Sequence, residues 1–325
     1  MTIAPTTAAT MRAVTVSAFG DPGVLRAVEL PAPEPGVTEV LVRVHAAGIN
    51  PVDYWSRRTG GFGQLGEPAI LGHDVSGVVE AVGPGVTVLA PGDEVFGMPR
   101  FPDQAGAYGE LVVAPARHLA RKPAALSHVE AAALPLAGLT AWQALVETAG
   151  VEPGTRVLVH GAGGGVGHLA VQIAKARGAE VVGIASAGKH GLLRDLGADE
   201  LVDYRDADVA SVIRDVDVVL DGVGGDTAER SLRSVRDGAT ILTLPGPPSL
   251  SEAAAREAAD RGVRIDWPVV EPDRGGLLEL ARLVDDGRLR PVVDRVFSLE
   301  DAAAAHAHGE AGHVTGKLVL EVAGD

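Results

Sequence analysis

The chain of 325 residues contains no cysteine. Disulfides, thiolate nucleophiles and zinc sites built on cysteine are therefore excluded. Aromatic residues are scarce as well, at 3% of the sequence. A chain that is poor in aromatics and rich in Ala, Val, Leu and Gly is better suited to helices packed closely on a sheet than to an aromatic-rich binding surface.

Positive charge is also in short supply. The sequence has 28 Lys and Arg against 43 Asp and Glu, a formal net charge of −15, so the phosphate backbone of a nucleic acid would be repelled on average. The longest mainly apolar stretch, Ala131 to Val146, is interrupted by Pro135 and falls short of the ~20 residues of a membrane span. Residues 1–10 lack the features of a secretory signal. We therefore expect a cytoplasmic protein with no nucleic-acid or membrane partner.

Hydrophobic residues make up 46% of the sequence, enough for two cores. From Arg12 to about Ala125 short, Val-rich, alternating segments stand between Pro- and Gly-containing turns. Arg12–Val16, Glu39–Val44 and Gly77–Val82 are examples, and each predicts a strand. This half of the chain is predicted to be an all-β, barrel-like unit.

From about Ser127 helical patterns alternate with short apolar runs, which predicts right-handed crossovers and a doubly wound parallel sheet. The predicted strands are 156–160, 180–185, 201–204, 216–220, 240–244 and 263–269. After Pro291 strand-like runs return at 292–297 and 317–322, around an Ala-rich helix at 299–308. The sequence thus predicts an α/β protein with one domain formed by residues 1–126 and 292–325 and another formed by 127–291.

The first strand of the parallel sheet leads into a glycine-rich turn and then an amphipathic helix. Glycines let the backbone approach a pyrophosphate, and a helix N-terminus favours negative charge. The sequence departs from the usual G-x-G-x-x-G pattern because alanine takes the first glycine position. The predicted cofactor-binding residues here are Ala162, Gly163, Gly164, Gly165, Val166 and Gly167.

The next strand bears on which dinucleotide binds. An NAD site usually carries Asp or Glu about 20 residues on, bound to the ribose 2′-hydroxyl, but 181–194 contains no acid. Ser186 and Lys189 stand there instead, and a hydroxyl and a cation suit a 2′-phosphate. Lys189 can alternatively be read as a solvated residue that opens the next helix. We expect NADP(H) rather than NAD(H).

Several motifs in order resemble the quinone oxidoreductases, the zeta-crystallin-like branch of the medium-chain dehydrogenase/reductase family. The resemblance covers essentially everything after residue 10. Its segments are Met11–Val14, Ala47–Asp53, Leu71–Val79, Gly92–Phe96, Leu134–Trp142, the glycine-rich turn, Leu196–Asp199 and Gly316–Lys317.

The resemblance implies a GroES-like β-barrel catalytic domain, interrupted by a Rossmann domain, with NADP(H) in the cleft between them. It also implies further cofactor contacts. These are Asn50, Thr140, Ser186, Lys189, Tyr204, Gly222, Val223, Leu244, Phe297 and Lys317, of which Ser186, Lys189 and Tyr204 would surround the 2′-phosphate.

Zinc alcohol dehydrogenases share this fold, but the resemblance places Asn50 and Ala137 where those enzymes have cysteine ligands, so that only His73 remains. One histidine does not make a zinc site of the usual three ligands, and no metal is expected. His306, His308 and His313 are expected to be exposed rather than to form another metal site. A short-chain dehydrogenase would need Tyr-x-x-x-Lys, which is absent.

Without a metal, hydride transfer suits acceptors whose developing charge is delocalised, such as quinones and α,β-unsaturated carbonyls. His73 and Tyr54 are the candidate proton donors, and Asn50 and Trp55 the candidate substrate-pocket residues. The alternatives are that His73 is a structural residue and that solvent supplies the proton, and Asp53 is expected to cap the following helix.

The main alternative is an NADPH-binding structural or regulatory protein with little turnover. In either case, residues 263–269 are predicted to form the last strand of the sheet, with a large apolar side chain at Trp267. An open strand edge exposes unpaired backbone groups. With the family resemblance, this predicts a homodimer formed through that strand.

Overall fold

The computed structural model describes residues 9–62, 66–206 and 208–323. Its strands, in chain order, are β1 Thr10–Val16, β2 Leu25–Pro31, β3 Glu39–Ile49, β4 Ala69–Ile70, β5 Val75–Val82, β6 Glu94–Gly97, β7 Leu111–Pro115, β8 Leu119–Arg121, β9 Arg156–His160, β10 Glu180–Ile184, β11 Glu200–Val202, β12 Val216–Asp221, β13 Val235–Thr243, β14 Arg264–Asp266, β15 Val293–Ser298 and β16 Lys317–Glu321.

The α-helices are α1 Pro51–Thr59, α2 His128–Ala132, α3 Pro135–Trp142, α4 Gly167–Ala176, α5 His190–Asp195, α6 Val209–Val212, α7 Thr227–Ser231, α8 Glu252–Asp260, α9 Arg274–Asp285 and α10 Ala302–Glu310. A π-helical segment, Gln143–Thr148, follows α3. The 3₁₀ turns among the described residues are Pro22–Val24, Ala116–His118, Ala187–Lys189 and Leu299–Asp301. Within the described ranges, no helix is long and apolar enough to cross a bilayer.

The chain divides into two compact units. The described residues of unit 1 fall within Met1–Leu136, Pro272–Ala281 and Val293–Asp325, and those of unit 2 within Ala137–Glu271 and Arg282–Val292. In the sequence, unit 2 therefore interrupts unit 1.

Unit 1 is the GroES-like β unit. Its larger sheet runs in the order β15-β16-β3-β5-β6-β8, with β7 also paired to β3, and a small sheet has the order β2-β1-β4. Most buried Val, Leu and Ala side chains of these strands form one apolar cluster together with α10, while Ala46 and Val319 pack in a smaller cluster with α2. The pairing of β16 with β3, Leu318 opposite Ile49, ties the last strand to the middle of this sheet.

Helix α1 of unit 1 begins for a reason visible in the sequence. The Asn50 backbone N–H donates to Oδ2 of Asp53 at 2.8 Å, while Pro51 occupies the first turn. Gly60 ends the helix with a φ of 91°, a left-handed conformation that favours glycine. The predicted cap at Asp53 is therefore corrected: Asn50 is the N-cap residue, and Asp53, at the third helical position, completes a capping box with it.

Unit 2 is a parallel, Rossmann-type sheet in the order β11-β10-β9-β12-β13-β14. The order reverses between β9 and β12, and ligands of such sheets bind at the carboxyl ends of the strands at this point. An apolar cluster that includes Leu158, Val182 and Ile241 forms the core between this sheet and the helices packed on it.

Strand β14 is shorter than predicted. The sequence predicted a strand over 263–269, but the structure limits it to Arg264–Asp266, with Trp267 and Pro268 beyond its end. Proline has no N–H to donate to the ladder, which accounts for the early end. The strand does form the edge of the sheet, as expected.

Candidate functional site

The glycine-rich turn of unit 2 joins the end of β9 to the start of α4. Gly161 has a φ of 68°, in the left-handed region. A Cβ at position 167 would lie 2.3 Å from the Gly161 carbonyl oxygen, so a side chain has no room there. The turn is therefore tight because of these two glycines, and it brings the backbone to the N-terminus of a helix, where an anion is favoured.

His168, in the first turn of α4, braces this loop. Its Nε2 accepts from the Val292 backbone N–H at 3.0 Å, so the other ring nitrogen, Nδ1, is the one that donates to the Gly164 carbonyl at 2.9 Å. The ring is fully buried. Sequence reasoning missed this residue because its partner Val292 lies far along the chain.

Lys189 lies directly beside the loop. A Cβ added at Gly163 would be 2.4 Å from Cδ of Lys189 and 3.3 Å from its Cβ, so the aliphatic stem of the lysine runs across this glycine. Ser186 stands just before the 3₁₀ turn that carries Lys189. The structure thus brings Lys189 together with the predicted phosphate loop.

An acid that sequence reasoning missed stands next to Ser186. The N–H of Ala187 donates to Oδ2 of Asp203 at 2.7 Å. Asp203 follows β11, the neighbouring parallel strand, and Tyr204, a predicted 2′-phosphate contact, is the next residue and is exposed. Asp203 lies beyond residues 181–194, the stretch in which an NAD site usually carries its acid.

Asp221 organises the other side of the switch point. Its buried Oδ1 accepts from the N–H groups of Val223 and Gly224, each at 2.9 Å, and its carbonyl accepts from Leu244 N–H at 2.9 Å. Gly222 N–H reaches the carbonyl of His160 at the end of β9. Three predicted cofactor contacts, Gly222, Val223 and Leu244, thereby lie around Asp221: Val223 is bonded to its side chain, Leu244 to its backbone, and Gly222 follows it in the chain.

In unit 1, Asn50 and Lys317 meet in a buried cluster. Asn50 Nδ2 donates to Oδ2 of Asp74 at 2.8 Å. The Lys317 ammonium donates to the Asn50 Oδ1, to the Ile49 carbonyl at 3.0 Å and to Asp74 Oδ2 at 3.3 Å. An ammonium has three N–H donors, and three protein acceptors surround this one. Lys317 therefore fixes the orientation of the Asn50 amide.

His73 is buried in an apolar setting. Its ring stands edge-on to Phe101 at 5.1 Å between centroids, and no described residue hydrogen-bonds to Nδ1. Burial lowers the pKa of His73 to about 4. The imidazole is therefore neutral at physiological pH, which makes it a poor source of a proton.

Tyr54 and Trp55, adjacent on α1, have different neighbours. The Tyr54 hydroxyl lies against Gly309 of α10, where an added Cβ would be 1.9 Å from it, and its ring meets His306 edge-on at 4.9 Å. Trp55 is 40% exposed and packs edge-on against Phe62, with 4.6 Å between ring centroids. The aromatic wall formed by Trp55 and Phe62 is thus separate from the contacts of Tyr54.

The prediction that His306 is exposed is wrong. It is fully buried, where Nδ1 accepts from Arg57 at 3.1 Å and Nε2 donates to the Tyr108 hydroxyl at 3.1 Å. Burial, and secondarily the Arg57 charge, lowers the pKa of His306 to about 3. His308 is only partly buried, and His313 is exposed. The error arose because an Ala-rich helix has no polar face to reveal which side packs inward.

Asp53 links the helix cap to this buried network. It accepts from Gly72 N–H at 3.2 Å and is hydrogen-bonded to Tyr108. Burial raises the pKa of Asp53 to about 7, because the desolvation outweighs these hydrogen bonds.

The remaining predicted contacts lie on other elements. Thr140 is in α3, and Phe297 is in β15 with its ring 5.9 Å from that of His308. In the part of the chain that the structure describes, no group of three or more His, Asp or Glu side chains is arranged to hold a metal ion.

Family models match most of the chain. The model described as an alcohol dehydrogenase GroES-like domain matches residues 36–124, and the one described as a zinc-binding dehydrogenase matches residues 196–320. The first falls in unit 1, and the second covers parts of both units.

Two curated relatives span nearly the whole chain. The mitochondrial NAD(P)H oxidoreductase RTN4IP1 of Danio rerio is 36% identical over 88% of this chain and 84% of its own length. The 2-methylene-furan-3-one reductase of Solanum lycopersicum is 35% identical over 95% of this chain and 79% of its own.

Solved structures agree with the fold. The quinone oxidoreductase from Coxiella burnetii superposes with a TM-score of 0.88 at 37% identity, covering 97% of this chain and 100% of its own. A structure described as an NAD-dependent alcohol dehydrogenase gives a TM-score of 0.89 at 38% identity, covering 96% and 100%. The two similar structures carry different activities in their names.

Proposed function

We propose that this chain, which belongs to the medium-chain dehydrogenase/reductase family, is a zinc-independent reductase that transfers hydride from NADPH to a quinone or an α,β-unsaturated carbonyl compound. The observation that carries the proposal is the glycine-rich turn at the switch point of a Rossmann sheet, between β9 and α4. A nicotinamide cofactor is common to the oxidoreductases that the chain resembles.

The residues of unit 2 fit this cofactor. Gly161 and Gly167 have no side chains that would keep a pyrophosphate away from the backbone of the turn. The dipole of α4 favours the negative charge of the pyrophosphate. Ser186 and Lys189 are the proposed contacts of the 2′-phosphate, and Lys189 already lies on the loop. Gly222, Val223 and Leu244, which lie around Asp221, are the proposed contacts for the remainder of the dinucleotide. When bound, the cofactor supplies the hydride.

In unit 1 we propose Asn50 as a polar contact for cofactor or substrate. Lys317 acts through Asn50, because its three donors are already bound to protein acceptors. Trp55 is the proposed apolar wall of the substrate pocket, since it is exposed and backed by Phe62.

Solvent is the proposed source of the proton. His73 is neutral at physiological pH, and Tyr54 has its hydroxyl against α10 with a pKa raised by burial. Quinones and enones tolerate this, because the charge that develops on hydride transfer is delocalised and can be protonated by water.

Zinc independence is supported by the donor set. The chain has no cysteine, and the Asp74 carboxylate beside His73 is already bound to Asn50, Lys317 and the Leu136 N–H. A homodimer through β14 is proposed because that strand is the open edge of the sheet. The cytoplasmic location predicted above stays a prediction, since one similar protein is named as mitochondrial.

The test is steady-state oxidation of NADPH against a panel of quinones and enones, before and after exhaustive treatment with EDTA. Turnover that survives chelation supports the proposal, and turnover that is lost with EDTA and restored by zinc contradicts it. Efficient NADP-dependent oxidation of simple alcohols would assign a different reaction. Tight NADPH binding without turnover of any acceptor would favour a structural or regulatory role.

A further inference from the structure

The loops that follow β10 and β11 in unit 2 are joined by a carboxylate. These strands are parallel neighbours, with Ile184 opposite Val202, so their carboxyl ends lie side by side. The loop after β10 carries Ser186 and Lys189, and the loop after β11 begins at Asp203. The N–H of Ala187 donates to Asp203 Oδ2 at 2.7 Å. The carboxylate therefore lies next to the residues proposed to hold the 2′-phosphate.

Both carboxylate oxygens of Asp203 accept hydrogen bonds from Arg205, a residue of its own loop. Its Oδ1 accepts from the backbone N–H and the Nε of Arg205, both at 3.0 Å, and Oδ2 accepts from Nη2 of Arg205 at 2.6 Å. The side chain of Asp203 is 5% exposed, whereas that of Arg205 is 56% exposed. Arg205 holds the pKa of Asp203 well below its usual range, so the carboxylate stays ionised. In this pair the Arg205 guanidinium is therefore exposed to solvent, and the Asp203 carboxylate is covered by it.

These charges matter because of where they lie. An NAD site places an acid near the carboxyl end of the second strand, where it binds the ribose 2′-hydroxyl and repels a 2′-phosphate. Here strand β10 has no such acid, but β11 supplies one at the same edge. A guanidinium presents five N–H donors, and two of the side-chain donors of Arg205 reach Asp203. The others are chemically suited to a phosphate.

We propose that the Asp203–Arg205 ion pair sets the choice between NADPH and NADH. Arg205 cancels the carboxylate that would otherwise select the 2′-hydroxyl and offers its remaining donors, with Lys189, to a 2′-phosphate. This inference rests on the proposed binding of a nicotinamide dinucleotide at the glycine-rich loop. It assigns a specificity-determining role to two residues beyond Ser186, Lys189 and Tyr204.

The experiment is a fluorescence titration of NADPH and NADH with the wild type, Arg205→Ala, Asp203→Asn and the double variant. Arg205→Ala is expected to weaken NADPH binding by roughly 10-fold while NADH binds as well as before or better, since an exposed charged contact is lost and a free carboxylate is gained. In the double variant, the removal of that carboxylate should restore part of the NADPH affinity and abolish any gain for NADH.

Arg233→Ala is the matched control. Arg233 is also 56% exposed and paired to an acid, Asp208, but it lies beside Ser234, whose carbonyl accepts from Val216 at the opposite, amino end of β12. This variant should leave the ratio of the two dissociation constants unchanged. Arg205→Gln and a thermal unfolding curve for each protein separate a change in binding from a loss of folded protein.

The outcomes distinguish the two proposals. A wild type that binds neither dinucleotide overturns the proposed function and this inference with it. A wild type that binds NADPH, combined with an Arg205→Ala variant that weakens both cofactors equally, overturns this inference alone. A double variant that behaves like Arg205→Ala would also overturn it, because the carboxylate would then have no part in the selection.

Discussion

The stem of Lys189 lies across Gly163, with only 2.4 Å between Cδ of the lysine and the place where a Cβ at 163 would stand. The absence of a side chain at Gly163 therefore lets Lys189, from the next strand-to-helix connection, lie on the glycine-rich turn. Gly163 has a φ outside the left-handed region, so glycine is needed there because of the Lys189 side chain and not because of the backbone conformation.

Gly163→Ala is therefore predicted to push Lys189 aside and to weaken NADPH binding by about 1–2 kcal/mol, within the range of a charged hydrogen bond. Fluorescence titration with NADPH measures this. Gly191→Ala is the control, because a Cβ there meets nothing within 4 Å. Equal affinity of Gly163→Ala and wild type would show that Lys189 does not depend on this glycine.

Lys317→Met is predicted to destabilise unit 1 strongly. It leaves the buried Asp74 carboxylate without its cation, a loss of about 3–5 kcal/mol for a broken buried pair. Lys175→Met is the control: its partner Asp199 is partly exposed, and such a pair is worth about 0–1 kcal/mol. Urea unfolding of both variants checks the difference, and a similar loss in each would contradict the importance of burial.

Stability should fall as the solution is acidified below about pH 6.5. The folded-state pKa values of His73 and His306 are lowered, to about 4 and about 3, so the unfolded chain takes up protons that the folded chain refuses. Each histidine should cost about 1.5 kcal/mol between pH 6.5 and about pH 5. The free energy of unfolding in urea at both pH values gives the slope.

His306→Gln tests the share of that residue in the acid sensitivity. The variant should flatten the loss of stability on acidification, whereas His313→Gln, at an exposed position, should leave it as in the wild type. Asp53 acts in the opposite sense, because its raised pKa removes stability as the pH rises from about 4 to about 7. Identical slopes in His306→Gln and wild type would contradict the buried, neutral histidine.

His73→Asn and Tyr54→Phe should both keep kcat within about threefold of the wild type with a good acceptor, because water is the proposed proton source. Single-turnover rates with NADPH separate the chemical step from product release. A loss of about 100-fold or more in His73→Asn alone would instead assign the proton to His73.

Light scattering at micromolar concentration should give a mass of two chains. Replacement of exposed Val269 by lysine, just beyond the end of β14, should shift the protein to one chain, since a charge beside a pairing strand edge opposes association. Lysine in place of exposed Val212, on α6, is the control. A wild type that runs as a monomer contradicts the dimer.

Much of unit 2 could be predicted from the sequence, because each strand is a short apolar run and each connection a helix. Strand β9 was predicted at its observed bounds, and the turn after it was identified from its glycines. The local pattern is sufficient for such elements, since a buried parallel strand needs apolar residues throughout.

What the sequence did not reveal depends on contacts between distant residues. Asp203 contacts the loop after β10 only because β11 pairs with β10. The two loops are separated in the sequence, so the local pattern does not indicate that they are neighbours. His306 is buried because α10 packs against Tyr108 and Arg57. The alanine-rich sequence of α10 has no clear apolar face that would indicate this packing. The predicted end of β14 is too late because apolar residues continue to Val269, whereas Pro268 has no N–H to donate to the ladder and the strand ends at Asp266.

The pairing of β3 with β16 has a consequence for the chain as it leaves the ribosome. Strand β3 is synthesised early, but the neighbour that covers one of its sides, Lys317–Glu321, emerges only after the whole of unit 2. Unit 2 is nearly continuous and can fold while unit 1 still carries an open strand edge. The nascent protein therefore spends most of its synthesis with a half-finished sheet, the stage at which a chaperone would have most to protect.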